Sequence, residues 1–204
     1  MRTLVIQAGG ESLRMGHDKA LMPFCGEPLI ERILRRLNGL ADEVCLTTNR
    51  PLAAKLQYLG LPVIADIHPG KGALGGLYTA LSAASNPEVI VVACDMPFVN
   101  PRLLLAECDL LSTTQTDAVI PISSFGFEPL HAVYRRESCL AAVEKALEEG
   151  QMRLSSWFSE VKIYKMSFGE AALYDPDNRS FLNLNTPAEF QSAETLARQI
   201  GLDQ

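Results

Sequence analysis

Apolar segments of strand length alternate with segments of helical spacing through the first half of this 204-residue chain, and this alternation restricts the folds open to it. The predicted strands cover residues 3–7, 44–48, 62–65 and 89–93, and the predicted helices between them cover residues 28–37, 51–58 and 74–84. Strands connected through helices pair in parallel with right-handed crossovers. We therefore expect an α/β fold with a three-layer, doubly wound, mostly parallel sheet of the Rossmann-like type.

The run at residues 89–93 is apolar at every position, which is typical of a strand buried on both faces at the centre of a parallel sheet. The pattern is less regular beyond it. Helices are predicted at residues 101–111, 137–148 and 187–200, and strands at residues 118–122, 130–134 and 161–166. The length of the chain suits a single domain over residues 1–204.

A glycine-rich loop carrying two cations follows the first predicted strand. Gly9, Gly10 and Gly16 allow backbone N–H groups to approach phosphate oxygens, and Arg14 and Lys19 can neutralise charge on a reacting phosphoryl group. Glycines are common after strands and loop cations are usually solvated, but this combination in one loop favours a nucleotide site. The spacing matches neither the G-x-x-x-x-G-K-[ST] loop nor the G-x-G-x-x-G fingerprint, which argues against P-loop ATPases and nicotinamide dehydrogenases.

Further polar residues follow the other predicted strands, at the edge of the sheet where the glycine-rich loop should lie. Asn49, Asp66 and Asp95 each come directly after a strand or one residue beyond it. A carboxylate such as Asp95 at the end of an apolar strand needs a cation or hydrogen bonds, and Mg²⁺ is the natural partner beside phosphates. Each of the three could instead serve a turn or cap a helix.

Composition excludes several other classes of protein. Apolar residues make up 48% of the chain and charged residues 21%, as in soluble globular proteins, and the apolar run at residues 89–94 is too short to span a bilayer. We find no secretory signal and expect a cytoplasmic protein without membrane association. The five cysteines contain no C-x-x-C pair, so neither a zinc site nor a disulfide framework is expected.

The charge distribution favours a small anionic ligand over a nucleic acid. The net charge is −6, whereas residues 1–36 contain six Lys and Arg against four Asp and Glu, a local charge of +2 that leaves −8 for the remainder. Broad electrostatic binding of a nucleic acid needs a basic surface, so we expect no nucleic-acid partner. A locally cationic loop on an acidic protein fits a single phosphorylated molecule.

Five short motifs span nearly the whole chain, at residues 8–21 (A-G-G-x-S-x-R-M-G-x-D-K-A-L), 26–29 (G-x-P-L), 72–76 (G-x-L-G-G), 94–97 (C-D-M-P) and 183–187 (N-L-N-T-P). Together they resemble the motifs of the molybdenum cofactor guanylyltransferases and their nucleotidyltransferase relatives. The R-M-G-x-D-K element is the more specific part, because A-G-G also opens sugar-phosphate nucleotidyltransferases. Residue 7 is glutamine in this chain, where the family usually has leucine.

The resemblance implies transfer of GMP from GTP to the terminal phosphate of molybdopterin with Mg²⁺, releasing pyrophosphate and forming the guanine dinucleotide. About the first 100 residues would bind the nucleotide and about residues 101–204 the acceptor. Arg14, Lys19 and Asp95 would be catalytic, with Asp95 also holding the metal. The implied nucleotide-binding residues are Gln7, Ala8, Gly9, Gly10, Lys19, Asn49, Asp66 and Asp95. Other cofactor-biosynthesis or molybdoenzyme-maturation proteins are candidate partners.

The acceptor side is less well defined by the sequence. Gly75, Gly76, Asn183 and Asn185 are candidate acceptor-binding residues, although the glycines could serve tight packing and the asparagines could cap the helix at Pro187. His68 and His131 are interpreted as surface or core histidines. The alternative functions are a molybdopterin cytidylyltransferase, a sugar-phosphate nucleotidyltransferase and a nucleotide-binding adaptor without catalysis.

Overall fold

The computed structural model describes residues 1–9 and 18–202. These residues form a three-layer α/β fold in which helices cover both faces of one main sheet. The strands are β1 (Arg2–Gln7), β2 (Pro23–Phe24), β3 (Glu27–Pro28), β4 (Glu43–Thr48), β5 (Val63–Ala65), β6 (Glu88–Ala93), β7 (Ala118–Ser123), β8 (Gly126–Phe127), β9 (His131–Arg135) and β10 (Ile163–Met166). The α-helices are α1 (Leu29–Arg36), α2 (Arg50–Lys55), α3 (Gly72–Ala83), α4 (Pro101–Thr114), α5 (Arg136–Glu148), α6 (Phe168–Ala172) and α7 (Pro187–Gln199).

The main sheet has the strand order β10-β7-β9-β6-β1-β4-β5, with β8 paired to β7. The pairs from β6 through β5 are parallel, as is the pair of β10 with β7, whereas β9 runs antiparallel to both β6 and β7. The predicted mostly parallel, doubly wound sheet is therefore confirmed. The central strand β6 differs in one respect from the prediction, because only one of its two neighbours is parallel to it.

The sheet is buried on both faces because its central strands are apolar at successive positions. In β1, Leu4 and Ile6 join a core beneath α1, α4 and α7, while Val5 joins a second core with Leu74 and Leu77 of α3. Val5, Ile6 and Leu77 are fully buried. Two helical layers thus cover a sheet whose carboxyl-terminal edge stays open between them. No helix among the described residues has the length and apolarity to cross a membrane.

Most predicted elements are present, with small shifts at their ends. The segment predicted as one helix at residues 51–58 is instead α2 followed by a 3₁₀ turn at Gln57–Leu59, which ends at the left-handed Gly60. The β2–β3 hairpin, β8 and α6 were not predicted. Their strands are two residues long and α6 is five, too short for a periodic pattern to develop.

Candidate active site

The carboxyl ends of four neighbouring strands meet at one edge of the sheet, as the sequence predicted. Backbone hydrogen bonds continue beyond the strands: Ala8 N donates to Thr47 O at 2.8 Å, Asp66 N donates to Thr48 O at 2.8 Å, and Cys94 N donates to Gln7 O at 2.9 Å. These bonds hold the residues that follow β1, β4, β5 and β6 side by side. Predicted residues from distant parts of the sequence therefore lie side by side along one edge of the sheet, here called the crevice.

Lys19 lies in this crevice and contacts both the first and the second half of the chain. Its Nζ lies 3.4 Å from Asp95 Oδ2 and 2.9 Å from Asn185 Oδ1. The backbone also closes this corner, since Leu184 N donates to Asp95 O at 3.0 Å. The structure thus brings two predicted catalytic residues together with one predicted acceptor residue.

Asp95 is held in an environment that suits a cation. Burial raises the pKa of its carboxyl above the usual range, and the Lys19 ammonium opposes that rise. Its Oδ1 is buried and receives no hydrogen bond from any described residue. The described residues contain no cluster of three His, Cys, Asp or Glu able to hold a metal, but Mg²⁺ commonly binds one carboxylate together with phosphates and water. The orphaned oxygen fits that kind of site.

The end of β1 approaches β4 and β5 closely at Gly9. A Cβ on Gly9 would lie 3.5 Å from Thr48 Cα, 3.6 Å from Asp66 Oδ2 and 3.7 Å from Asn49 N, which are ordinary contact distances. Asn49 caps α2, because its Oδ1 accepts a hydrogen bond from Leu52 N at 3.0 Å. The helix-capping role that the sequence left open for Asn49 is therefore confirmed. The side-chain nitrogen Nδ2 takes no part in this cap.

The two glycines near the start of α3 have different surroundings. A Cβ on Gly76 would lie 2.3 Å from Gln7 Nε2, so the Gln7 amide occupies the space over Gly76. A Cβ on Gly75 would lie 2.7 Å from Lys71 Cβ and 3.0 Å from His68 O. Close packing is thus sufficient to explain glycine at position 75, while the Gln7 amide sits where the crevice meets α3.

Replacing Gly75 with alanine is expected to lower the free energy of unfolding by about 1–3 kcal/mol, because the methyl group overpacks against the turn at His68 and Lys71. Gly169→Ala in α6 is the control, since a methyl group there meets nothing within 4 Å. Alanine is the better helix former, so the control should be neutral or slightly stabilising. Urea unfolding of both variants measures the difference, and equal stabilities would contradict the packing account.

Asn183 and Asn185 do not cap the last helix. Thr186 is the N-cap of α7 and forms a capping box with Glu189, so the capping alternative for the two asparagines is wrong. Both asparagines instead line a cavity of about 460 Å³, together with Phe125, Phe181 and side chains of α7. Phe125 is 80% exposed, which is unusual for a large aromatic residue.

Sequence reasoning missed a buried polar group beside this region. His131 Nδ1 lies 3.1 Å from Glu107 Oε1, and both side chains are fully buried. Glu128 is also buried and accepts a hydrogen bond of 2.5 Å from Ser123 Oγ. The interpretation of His131 as a core histidine is confirmed, but its partner could not be predicted because it comes from α4. His68 is the exposed one, with its ring 4.9 Å from that of Tyr78.

Gly10 and Arg14 lie outside the described residues, and their roles stay predictions. Gln7, Ala8, Gly9, Lys19, Asn49, Asp66 and Asp95 all lie at the open edge of the sheet. Gly75 and Gly76 lie near the start of α3. Asn183 and Asn185 flank Leu184, whose backbone N donates to Asp95 O.

A family model described as the MobA-like NTP transferase domain matches residues 4–163. The chain belongs to this family. MobA-like relatives named "Probable molybdenum cofactor guanylyltransferase" include one from Natronomonas pharaonis, 36% identical with 94% of this chain and 96% of the relative covered, and one from Chloroflexus aggregans, 37% identical with 94% and 92% covered. As a MobA-like NTP transferase, the protein is a nucleotidyltransferase, and the adaptor alternative is set aside.

A solved structure supports the same assignment. The "Molybdopterin-guanine dinucleotide biosynthesis protein A" from Archaeoglobus fulgidus superimposes with a TM-score of 0.85 at 26% identity, covering 97% of this chain and 99% of that one. The MobA-like fold therefore extends over nearly the whole chain, including the part beyond residue 163.

Proposed function

We propose that the protein transfers GMP from GTP to the terminal phosphate of molybdopterin, with Mg²⁺ bound at Asp95. The observation that carries this proposal is the Lys19–Asp95 pair, whose unpartnered Oδ1 lies at the end of a crevice that opens on Gly9. A protein cation beside a carboxylate that can bind a metal ion suits nucleotidyl transfer, because both cations would stabilise negative charge on the phosphate oxygens. The choice of GMP as the transferred group and of molybdopterin as the acceptor is supported by the names of the relatives.

The reaction needs no side-chain base. The terminal phosphate of the acceptor is already an oxygen nucleophile at neutral pH, so its oxygen forms a bond to the α-phosphorus of GTP while the bond from that phosphorus to the bridging oxygen breaks. Pyrophosphate leaves with the electron pair. The task of the protein is to align the two phosphates and to stabilise the developing charge.

Lys19 is placed to stabilise that charge, and Asp95 to hold the metal. Mg²⁺, when bound, neutralises phosphate oxygens and lowers the charge barrier to attack. The Lys19 ammonium contacts Asp95 through Oδ2, which leaves the other carboxylate oxygen, Oδ1, as the atom that would hold the metal. Arg14 would add a second cation from the glycine-rich loop.

We place the acceptor in the cavity lined by Phe125, Phe181 and the two asparagines. Its aromatic side chains suit a flat pterin ring, and Asn185 borders both this cavity and Lys19. An acceptor held there would direct its phosphate toward Lys19. The cytoplasmic location and further protein partners remain predictions from the sequence.

Thermal unfolding with Mg²⁺ and each of GTP, CTP, ATP and dTTP tests the choice of nucleotide. A ligand that binds the folded state raises its stability by mass action, so GTP should raise the melting temperature most. Transfer of radiolabel from [α-³²P]GTP to molybdopterin tests the reaction itself. A larger shift with CTP, or transfer from CTP but not GTP, would favour the cytidylyltransferase alternative.

Gly9→Ala is expected to weaken the use of GTP relative to CTP, because the added methyl group occupies space that a purine needs. The substitution fits the fold, since the nearest protein atoms would lie 3.5 Å or more from the new Cβ. Unfolding stability should therefore change little while the ratio of kcat/KM for GTP over that for CTP falls. An unchanged ratio in a folded variant would refute the role of Gly9.

A further inference from the structure

Arg32 of α1 is a charged side chain buried beside the loop that follows β6. It is 1% exposed. Its Nε donates a hydrogen bond to Pro97 O at 3.2 Å, and its Nη2 donates to Leu202 O. Its Nη1 lies 3.5 Å from Glu27 Oε1, and its Cζ lies 4.9 Å from the centroid of the Phe24 ring. One buried cation therefore joins several segments that are distant in the sequence.

Filling the core does not require a cation at this position. A buried guanidinium loses its hydration, and an apolar side chain of similar volume often stabilises a protein as well or better. Arginine offers what an apolar side chain lacks, a planar fork of N–H donors that fixes several acceptors at once. The contacts of Arg32 therefore point to the geometry of the segments that it joins.

The first of these segments carries Asp95. Pro97 comes two residues after Asp95 and has no backbone N–H, so its carbonyl is the one backbone group that can fix this residue by hydrogen bonding. Arg32 binds that carbonyl. On the other side of Asp95, the chain is fixed by the bond from Cys94 N to Gln7 O. Arg32 thus anchors the chain on the side of Asp95 that leaves the sheet.

The second segment carries Lys19. Lys19 begins a 3₁₀ turn that leads into β2, where Phe24 lies under the Arg32 guanidinium in a cation–π contact. The Phe24 ring also packs edge to face on Phe98, with ring centroids 6.1 Å apart. Phe98 belongs to the loop that follows Asp95. The two segments therefore pack on each other as well as on Arg32.

We propose that Arg32 is a positioning residue for guanylyl transfer, which holds the loop carrying Asp95 against the segment carrying Lys19. This inference rests on the proposed function, because it takes the Lys19–Asp95 pair as the catalytic end of the crevice. Lys19 Nζ lies 3.4 Å from Asp95 Oδ2, so a further separation of about 1 Å would break the contact. A misplacement of that size lowers rates by about 100-fold.

Arg32→Lys tests the proposal, because lysine keeps the charge and loses the planar fork. At saturating Mg²⁺, kcat for guanylyl transfer should fall about 10- to 100-fold, with the KM for GTP within about threefold of wild type. In thermal unfolding with GTP, the Mg²⁺ concentration for half-maximal stabilisation should rise about tenfold, as when a group that orients a metal ligand is lost. Arg32→Met fills the space without burying a charge and should show the same two changes.

Arg135→Lys and Arg135→Met are the matched controls. Arg135 Nε donates to Thr116 O at 2.8 Å and its Nη2 donates to Leu111 O at 3.0 Å, so this arginine also holds two backbone carbonyls. It pairs with Glu88 at the start of β6, at the edge of the sheet opposite the crevice. Both controls should keep the wild-type kcat and Mg²⁺ dependence, whatever stability they lose.

Combination with Lys19→Ala separates positioning from a purely structural role. Arg32→Lys should lower kcat by a smaller factor in the Lys19→Ala background, because the ammonium that it helps to place is already absent. Equal losses in both backgrounds would overturn the assignment, as would a folded Arg32 variant with the wild-type kcat and Mg²⁺ dependence. Full turnover in Lys19→Ala alone would contradict the proposed function itself, which distinguishes that failure from the failure of Arg32.

Discussion

Lys19→Ala should lower kcat for guanylyl transfer by about a hundred- to a thousandfold, with a smaller change in the KM for GTP. In the proposed reaction the ammonium stabilises negative charge on the phosphate oxygens, and that charge is larger in the transition state than in bound GTP. Radiolabel transfer from [α-³²P]GTP measures the effect. Lys145→Ala is the control, because Lys145 also pairs with a carboxylate, Glu160, but on an exposed surface.

The Lys19 variant has a second expected effect that separates catalysis from structure. Removing the ammonium takes away the cation that the Asp95 carboxylate contacts, so Lys19→Ala should destabilise the wild-type protein. In an Asp95→Asn background the same change should cost much less, because no charge remains to be compensated. Full turnover in Lys19→Ala, or equal stability losses in both backgrounds, would contradict the role given to this pair.

Asp95→Asn should lower guanylyl transfer by about a thousandfold or more, because the proposed Mg²⁺ site would lose its carboxylate ligand. The amide has nearly the same shape and no charge to bury, so the ligand-free protein should remain folded. Mg²⁺ should no longer increase the stabilisation by GTP, and titration of Mg²⁺ in thermal unfolding measures that dependence.

Asp109→Asn is the control for the Asp95 variant, since Asp109 is exposed on α4 and lies outside the crevice residues. It should retain both turnover and the dependence on Mg²⁺. An Asp95→Asn enzyme whose activity and Mg²⁺ response match those of this control would show that the metal binds elsewhere.

The strands and helices were predictable where a period could repeat. Val5 and Ile6 face opposite cores, and the apolar run of β6 is buried throughout. Because strands buried on both faces are apolar at successive positions, both could be predicted from their apolar runs. The reversed direction of β9 was not predictable, because apolar strands read alike in both directions. The hairpin at Pro23–Phe24 and Glu27–Pro28 is fixed by its turn, which spans Cys25 and Gly26 at positive φ.

The sequence predicts which residues lie at the open edge of the sheet, but it does not predict the contacts between their side chains. The rule that parallel strands end on one side predicts that residues 9, 66 and 95 share an edge, and the structure places them there. The contact of Lys19 with Asn185 joins residues 166 positions apart and depends on how α7 returns to the sheet. The burial of His131 against Glu107 likewise depends on the packing of α4, which no local pattern describes.

The central claim is that one crevice, with backbone amides after β1 and the Lys19–Asp95 pair, binds the triphosphate of GTP. A crystal structure with GTP and Mg²⁺, without acceptor, tests it most directly. We expect phosphate oxygens within hydrogen-bond distance of Lys19 Nζ, a metal ion on the Asp95 carboxylate, and the base beside Gly9. An empty crevice, with the nucleotide bound in the cavity beside α7 or elsewhere, would contradict it.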